Sequence, residues 1–382
     1  MIMDRPLRPA WVEIDLDRFR KNLRAILQEK PQHLGILSVV KDNAYGHGAL
    51  AIARTAQREG IRRFAVATVD EALSLKRAGL EADLFIFGRR TAEELEICIR
   101  QGFIVFLHGP EDARDAARTA RLVGKKARAH IEVDTGLGRY GVRWDRASAA
   151  IPEMCSHPEL SIGGIMSHFA QSDEADKSYA MLQLERFQQV LQALEKQGIR
   201  FAVRHMCNSG GYLDLPQAHF DWVRIGILPL GVFPSQVCRR ISGIQPIMTV
   251  KSRVALLKDL EPGDCVGYGM HYTAQQKETI AVIPVGYADG YPRVRNKGFV
   301  LIRGQKAPVV GGNAMDAMMV RVTHIGVQLW DEVVLLGRQG SEEIDAHLLA
   351  SWKGTVSYDV LAGWRTRIPR VYLEGNGIPE RQ

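Results

Sequence analysis

Lys41 closes the apolar run Ser38-Val39-Val40 and opens the turn Asp42-Asn43-Ala44-Tyr45-Gly46-His47-Gly48. A lysine at the mouth of a buried strand is partly desolvated. That lowers its pKa and frees the amine to attack a carbonyl carbon. The plain alternative is a strand-end lysine whose ammonium reaches back to water. Other polar residues also fall at the ends of apolar segments: Glu132 to Arg139, Ser167-His168, Cys207-Asn208-Ser209 and Arg224-Ile225-Gly226-Ile227. Their spacing marks a site without fixing its reaction.

The elements that must position these residues alternate in type. Apolar strands are expected at 36–41, 63–68, 83–88, 104–108, 128–135, 162–168, 203–209 and 222–228, with amphipathic helical patterns between them. Strands joined in this way predict a (β/α)8 TIM barrel, whose chemistry sits at the C-terminal ends of the strands. A doubly wound open sheet would be expected to show fewer strands and a glycine-rich first turn, and no such turn follows Lys41. After Arg240 the pattern changes to strand-like runs separated by turns, at 247–257, 280–285, 298–302, 318–322, 332–336 and 371–373. The expected organisation is an N-terminal strand in 1–12 that joins the β domain, a barrel over 13–239, and a mainly β C-terminal domain over 240–382.

Composition narrows the class. A chain of 382 residues with 46% hydrophobic and 24% charged residues suits a globular enzyme of two domains. No apolar stretch is long enough to span a membrane, and the first residues lack a signal-peptide core, so a cytoplasmic protein is expected. Five scattered cysteines without CxxC spacing read as reduced thiols, with no disulfide frame and no metal site. The net charge of +7 is spread along predicted helices, which favours small anionic ligands over nucleic acid.

The run from Ser38 to Gly48 resembles the pyridoxal-phosphate lysine motif of the alanine racemase family, departing only in Asp42, where alanine is usual. The resemblance covers essentially the whole chain. It implies pyridoxal 5'-phosphate as cofactor, carried by Lys41 as an aldimine. Tyr45, Asn208, Ser209, Gly226, Ile227 and Tyr358 are implied around the phosphate, with Arg224 at the pyridine nitrogen and His168 beside it. The segment Gly267-Tyr268-Gly269-Met270-His271-Tyr272-Thr273-Ala274 resembles the family's catalytic tyrosine motif. Tyr268 is therefore implied as the second base opposite Lys41. Arg139, Tyr287, Met315 and Asp316 are implied at the substrate.

The resemblance further implies a homodimer with shared sites and interconversion of L- and D-alanine for peptidoglycan. A broad-specificity or serine racemase is the alternative. A non-catalytic pyridoxal-phosphate carrier of one barrel would lack the β domain and a Tyr268 equivalent. A decarboxylase would place a carboxylate at the pyridine nitrogen, and a metal site at His130, Glu132 and Asp134 has no further ligands at metal spacing. Many family members carry a carbamylated lysine at the position of Glu132, so Glu132 is expected to support Arg139 by charge. Gly312, Gln171, Ala314 and Leu230 stand where the family narrows its substrate corridor, which suggests a wider corridor and the loss of one cation.

Overall fold

The computed structural model describes residues 7–375 and 378–380. Eight parallel strands close into a barrel: Gly35–Val39, Arg63–Val66, Asp83–Ile86, Ile104–Leu107, Ala127–Asp134, Leu160–Met166, Val203–His205 and Trp222–Ile225. Each pairs with the next, and Trp222–Ile225 returns to Gly35–Val39 through Trp222 opposite Gly35 and Ile225 opposite Ser38. Leu37, Val39, Ala65, Phe85, Ile104, Phe106 and Met166 fill the interior as one apolar cluster. Every barrel strand stops before its expected end, because the residues that follow, such as Lys41, His168 and Asn208, have already left the sheet at the barrel mouth.

The surrounding helices begin where sequence chemistry supplies an acceptor for free N–H groups. Thr68 and Glu71 form a capping box at the start of Val69–Arg77, and Thr91 and Glu94 form another at Ala92–Gln101. Helix Leu16–Glu29 is capped by Asp15 and buries Leu16, Phe19, Leu23 and Ile26.

The remainder of the chain is mainly sheet. Strand Ala10–Asp15 lies between Met248–Arg253, antiparallel, and Arg370–Glu374, parallel, so the beginning of the chain is built into the sheet formed by its end. The run expected as one strand over 247–257 is two, Met248–Arg253 and Leu256–Leu260, belonging to different sheets. Helices Ala346–Lys353 and Ser357–Ala362 interrupt a region expected to hold no helix of length, and Tyr358 sits on the second of them. The first runs from an Asp345 cap to a left-handed Gly354, a start and a stop signal that outweigh its short periodic pattern.

Candidate active site

The residues after Val40 coil the wrong way for L-amino acids. Asp42, Asn43, Ala44 and Tyr45 all have φ between 52° and 53°, a left-handed turn. Such geometry costs about 1–2 kcal/mol per residue for most side chains and least for Asp and Asn. Tertiary hydrogen bonds hold it. The Asp42 N–H donates to Glu71 Oε1 at 2.5 Å, while Glu71 Oε2 accepts from Ala67 N at 2.8 Å and Thr68 N at 3.1 Å. Asn43 Oδ1 accepts from Ala49 N at 2.9 Å, and His47 Nδ1 lies 3.0 Å from Ala44 O and 2.9 Å from Tyr45 O. Two carbonyls around one ring nitrogen require that Nδ1 carry the proton. The turn carries both Lys41 and Tyr45 to the barrel mouth.

Lys41, Tyr45, Arg139, His168, Asn208, Ser209, Arg224, Gly226, Ile227 and Tyr358 line one cavity of about 480 Å³ at that mouth. The Lys41 ammonium is held below its ordinary pKa, first by burial and then by the charge of Arg139. Arg224 is fully enclosed. Its Nη1 donates to His205 Nδ1 at 2.9 Å, and its Nη2 donates to Ser167 O at 2.7 Å, Met206 O at 2.8 Å and His168 Nδ1 at 2.9 Å. A guanidinium has only donors, so both histidines present a bare Nδ1 to it. His205 then carries its proton on Nε2 and donates to His130 Nδ1 at 2.9 Å. Burial pushes His168 and His205 well below the ordinary histidine value and His130 down to about 4, so all three stay neutral. Among the described residues, Arg224 Nε is buried with no hydrogen-bond partner.

The far end of the cavity is shaped for a bulky oxyanion. Tyr45 and Tyr358 meet edge to face with ring centroids 6.0 Å apart, and burial raises both phenols so that they remain hydroxyl donors. Gly226 N donates to Ser209 Oγ at 3.3 Å. A Cβ at Gly226 would lie 2.5 Å from Tyr45 Oη, so only glycine allows that hydroxyl and the backbone to come this close. Asn208 Oδ1 is occupied in folding the loop, accepting from Gly211 N at 2.9 Å and Ser172 Oγ at 2.7 Å.

The remaining expected residues lie elsewhere. Tyr268 and Tyr287 line a separate cavity of about 430 Å³ with Arg293, Arg295, Lys297 and Gly312. Tyr268 is 80% exposed, and Met315 is also exposed. Asp316 pairs with Arg367 at 2.6 Å. Gly312 leaves open space, with Arg295 Cγ 3.6 Å from where its Cβ would be. Positive charge is therefore present on that wall, against the expectation from the lost arginine. Leu230 is buried beside His47 and Val232 and lines no part of the Lys41 cavity; Gln171 does not line it either.

Glu132 corrects a second expectation. Its carboxylate is buried in the cavity wall; His108 Nδ1 lies 3.3 Å from Glu132 Oε2 without hydrogen-bond geometry, and among the described residues Glu132 makes no ion pair with Arg139. Burial raises the Glu132 carboxyl above its ordinary value, opposed by the charges of Arg224 and Arg139. Of the candidate metal ligands, His130 is bonded to His205, and Asp134 accepts from Gly136 N at 2.9 Å and Gly138 N at 3.1 Å. Glu71 and His108 were given no role on sequence. The spacing of Thr68 and Glu71 is that of a capping box, but nothing local shows that the other Glu71 oxygen reaches across to Asp42.

Known proteins resemble this chain in sequence and in fold. The family description of the alanine racemase N-terminal domain fits residues 14–234, and that of the C-terminal domain fits residues 247–372. An alanine racemase of Symbiobacterium thermophilum is 40% identical over 370 residues, spanning 96% of this chain and 97% of its own. One from Desulforamulus reducens is 39% identical over 369 residues, spanning 96% and 99%. Among solved structures, alanine racemase of Clostridium difficile 630 superposes with a TM-score of 0.92 at 32% identity, covering 99% of this chain and 98% of that one. The Bartonella henselae enzyme, described with covalently bound pyridoxal phosphate, superposes with a TM-score of 0.85 at 28% identity, covering 95% and 99%.

Proposed function

This chain belongs to the alanine racemase family, and from that premise we propose that it interconverts L- and D-alanine with pyridoxal 5'-phosphate held at Lys41. The observation that carries the reading is one cavity with a desolvated lysine, an arginine whose buried Nε–H lacks an acceptor, and a cradle that only Gly226 leaves open. The cofactor fits these features. A ring nitrogen would give the Arg224 Nε–H its acceptor, and a phosphate would take the Tyr45, Tyr358 and Ser209 hydroxyls and the N–H groups around Gly226 and Ile227. When bound, pyridoxal phosphate supplies a conjugated ring that delocalises the electron pair left on Cα as its proton departs.

The residues of the chain do the rest. Burial and the charge of Arg139 make the neutral Lys41 amine accessible, first as a nucleophile and then as a proton carrier on one face of Cα. Arg224 can donate but cannot give up or relay a proton to a ring nitrogen, and its neutral histidine neighbours add no charge. Arg224 would therefore leave a ring nitrogen held there unprotonated and would temper the electron-withdrawing chemistry the group supplies. Arg139 is the cation for the substrate carboxylate, with Met315, Asp316 and Tyr287 on the approach.

Racemisation requires a second proton carrier on the opposite face, and Tyr268 is that residue. Its exposure and its distance from the Lys41 cavity support a homodimer in which the Tyr268 hydroxyl of one protomer completes the cavity of its partner. The reduced-thiol pattern and the D-alanine product support a cytoplasmic enzyme that supplies peptidoglycan synthesis. Among the described residues no helix is long and apolar enough to cross a membrane. The assignment is tested by adding pyridoxal phosphate, reducing with borohydride and mapping the modified peptide by mass. The adduct is expected on Lys41; an adduct on another lysine, or none, overturns the reading.

A further inference from the structure

The cavity that holds Tyr268 carries an unbalanced charge. Arg293, Arg295 and Lys297 line its 430 Å³, and among the described residues no carboxylate does. Lys297 Nζ donates to Ser351 O at 3.3 Å, and Arg293 Cζ lies 5.6 Å from the centroid of the Tyr287 ring. Among the described residues neither arginine pairs with a carboxylate, since Asp289 is held by Arg8 and Arg367 and Asp316 by Arg367. The segment that carries these cations is fixed beside the Tyr268 loop. Asn296 Nδ2 donates to His271 O at 2.7 Å, and its Oδ1 accepts from Gly311 N at 2.6 Å. Buried Asn313 accepts from Val294 N at 3.0 Å and donates to Pro292 O at 2.9 Å. Arg295 forms an antiparallel bridge with Gly312, where a Cβ would lie 3.6 Å from Arg295 Cγ and 3.9 Å from Tyr268 O. The space a side chain at 312 would fill is thus left open between the loop of the proposed base and the stem of a guanidinium.

We propose that this cavity is a side-chain subsite for a second carboxylate, so that the dicarboxylic amino acids aspartate and glutamate are additional substrates, selected by Arg295 and Arg293. The inference rests on the racemase reading and on the placement of Tyr268 at the cavity of a partner protomer. It goes beyond both in naming a substrate class. The reaction is the same exchange of one proton at Cα, so no further reagent enters.

Charge separates the amino acids that could extend into this space. Alanine presents only a methyl and leaves the arginines to water. The side-chain carboxylate of glutamate gives them an ionised acceptor, and a planar guanidinium takes a carboxylate through two N–H groups at once. Glutamine has nearly the same shape without the charge. Lysine brings a fourth cation against the three already there, a repulsion that excludes it. A site that holds charged donors ready for an oxygen anion discriminates more sharply than one that measures size alone.

The test gives the cofactor-loaded protein L-glutamate, L-glutamine and L-alanine in separate reactions and measures the D-enantiomer of each by chiral separation. Glutamate is expected to exceed glutamine in kcat/KM by about tenfold or more, the scale of one hydrogen bond to a charged group. Arg295→Ala should bring that ratio close to one. Arg295→Lys, which returns a charge without the planar fork, should restore part of it. General damage lowers both substrates alike and leaves the ratio in place. Gly312→Leu fills the open space without left-handed backbone strain, and it should lower glutamate relative to alanine by about tenfold. Absence of D-glutamate, equal use of glutamate and glutamine by the wild type, or a wild-type ratio kept by Arg295→Ala overturns the proposal. A kept ratio with loss of the dimer would assign Arg295 to a contact between protomers. The Arg295 side chain is exposed, so its replacement leaves the core intact; should the variant still fail to fold, Arg293→Ala decides on the same ratio. Failure of the racemase reading is distinguishable, because alanine would then yield no D-alanine, whereas failure of this proposal leaves D-alanine formation as it was.

Discussion

Replacing Gly226 with alanine isolates the cradle that receives the phosphate. The added Cβ would meet Tyr45 Oη at 2.5 Å, Cε2 at 2.8 Å and Cζ at 2.9 Å. Non-bonded carbons settle at about 3.5–4.0 Å, so the ring must move by roughly 1 Å. It has little freedom to do so. Tyr45 ends the left-handed turn pinned by Glu71, Asn43 and His47, and its edge already meets Tyr358. Gly226 does not have a left-handed φ, so alanine strains no backbone and the whole effect is this clash. Overpacking of this kind costs about 1–3 kcal/mol, and Kd for pyridoxal phosphate should rise about fivefold to hundredfold. The assay is a cofactor titration followed by absorbance, with thermal unfolding of the cofactor-free protein as a control. A cycle with Tyr45→Ala sharpens it. Tyr45→Ala alone weakens binding by removing a hydroxyl, but in its background the three nearest contacts of the added methyl are gone, so Gly226→Ala should then cost much less. A coupling of about 0.5–3 kcal/mol is the scale for groups in contact. Tight binding by Gly226→Ala, or strict additivity with Tyr45→Ala, refutes the reasoning.

Three further outcomes follow from other parts of the structure. Lys41→Ala and Tyr268→Phe should each lose alanine racemisation by about 10²–10⁴-fold or more; in a shared-site dimer, co-refolded equal amounts regain roughly one quarter of wild-type activity, because half the dimers are mixed and each holds one intact pair. No recovery would place both groups in one chain. Asp42→Ala should lose about 0.5–1 kcal/mol in urea unfolding while Asp42→Gly keeps its backbone fit, since alanine is the poorer residue at φ 52°; equal stability of the alanine variant contradicts this account of Asp42. His47 and His130 are each held down to about 4 by burial, from an ordinary value of 6.5. The unfolded chain therefore binds more protons between those values, so the stability from each is complete above pH 6.5 and lost as pH falls toward 4, about 2 kcal/mol per residue by pH 5. His47→Gln should make the loss of urea midpoint between pH 7 and pH 5 shallower, and an unchanged slope counts against the assignment.

The barrel was legible because buried parallel strands are continuous apolar runs, such as Ile104–Leu107, separated by amphipathic helices with their own caps. Their polar ends, converging on one mouth, located the cavity before any fold was known. What the sequence concealed was set by distant partners. Ala44 and Tyr45 have no local preference for left-handed φ; the turn depends on Glu71 and on the ring of His47. The surroundings of Glu132 are set by His108 and Arg139 from the loops after two different strands, with no trace in spacing. Strand Met248–Arg253 ends at a bend into a second sheet that hydrophobic alternation does not mark. The position of Tyr268, outside the cavity it is proposed to serve, concerns a second copy of the chain and has no signature within one.

The most direct test is the reaction itself. Cofactor-loaded protein is given L-alanine, and both enantiomers are followed by chiral separation, with L-serine in parallel. D-Alanine should accumulate until the two forms are equal, with kcat/KM for alanine above that for serine by about tenfold or more. Absence of D-alanine from protein shown to carry the cofactor would contradict the account, and faster turnover of serine would move the substrate assignment away from alanine.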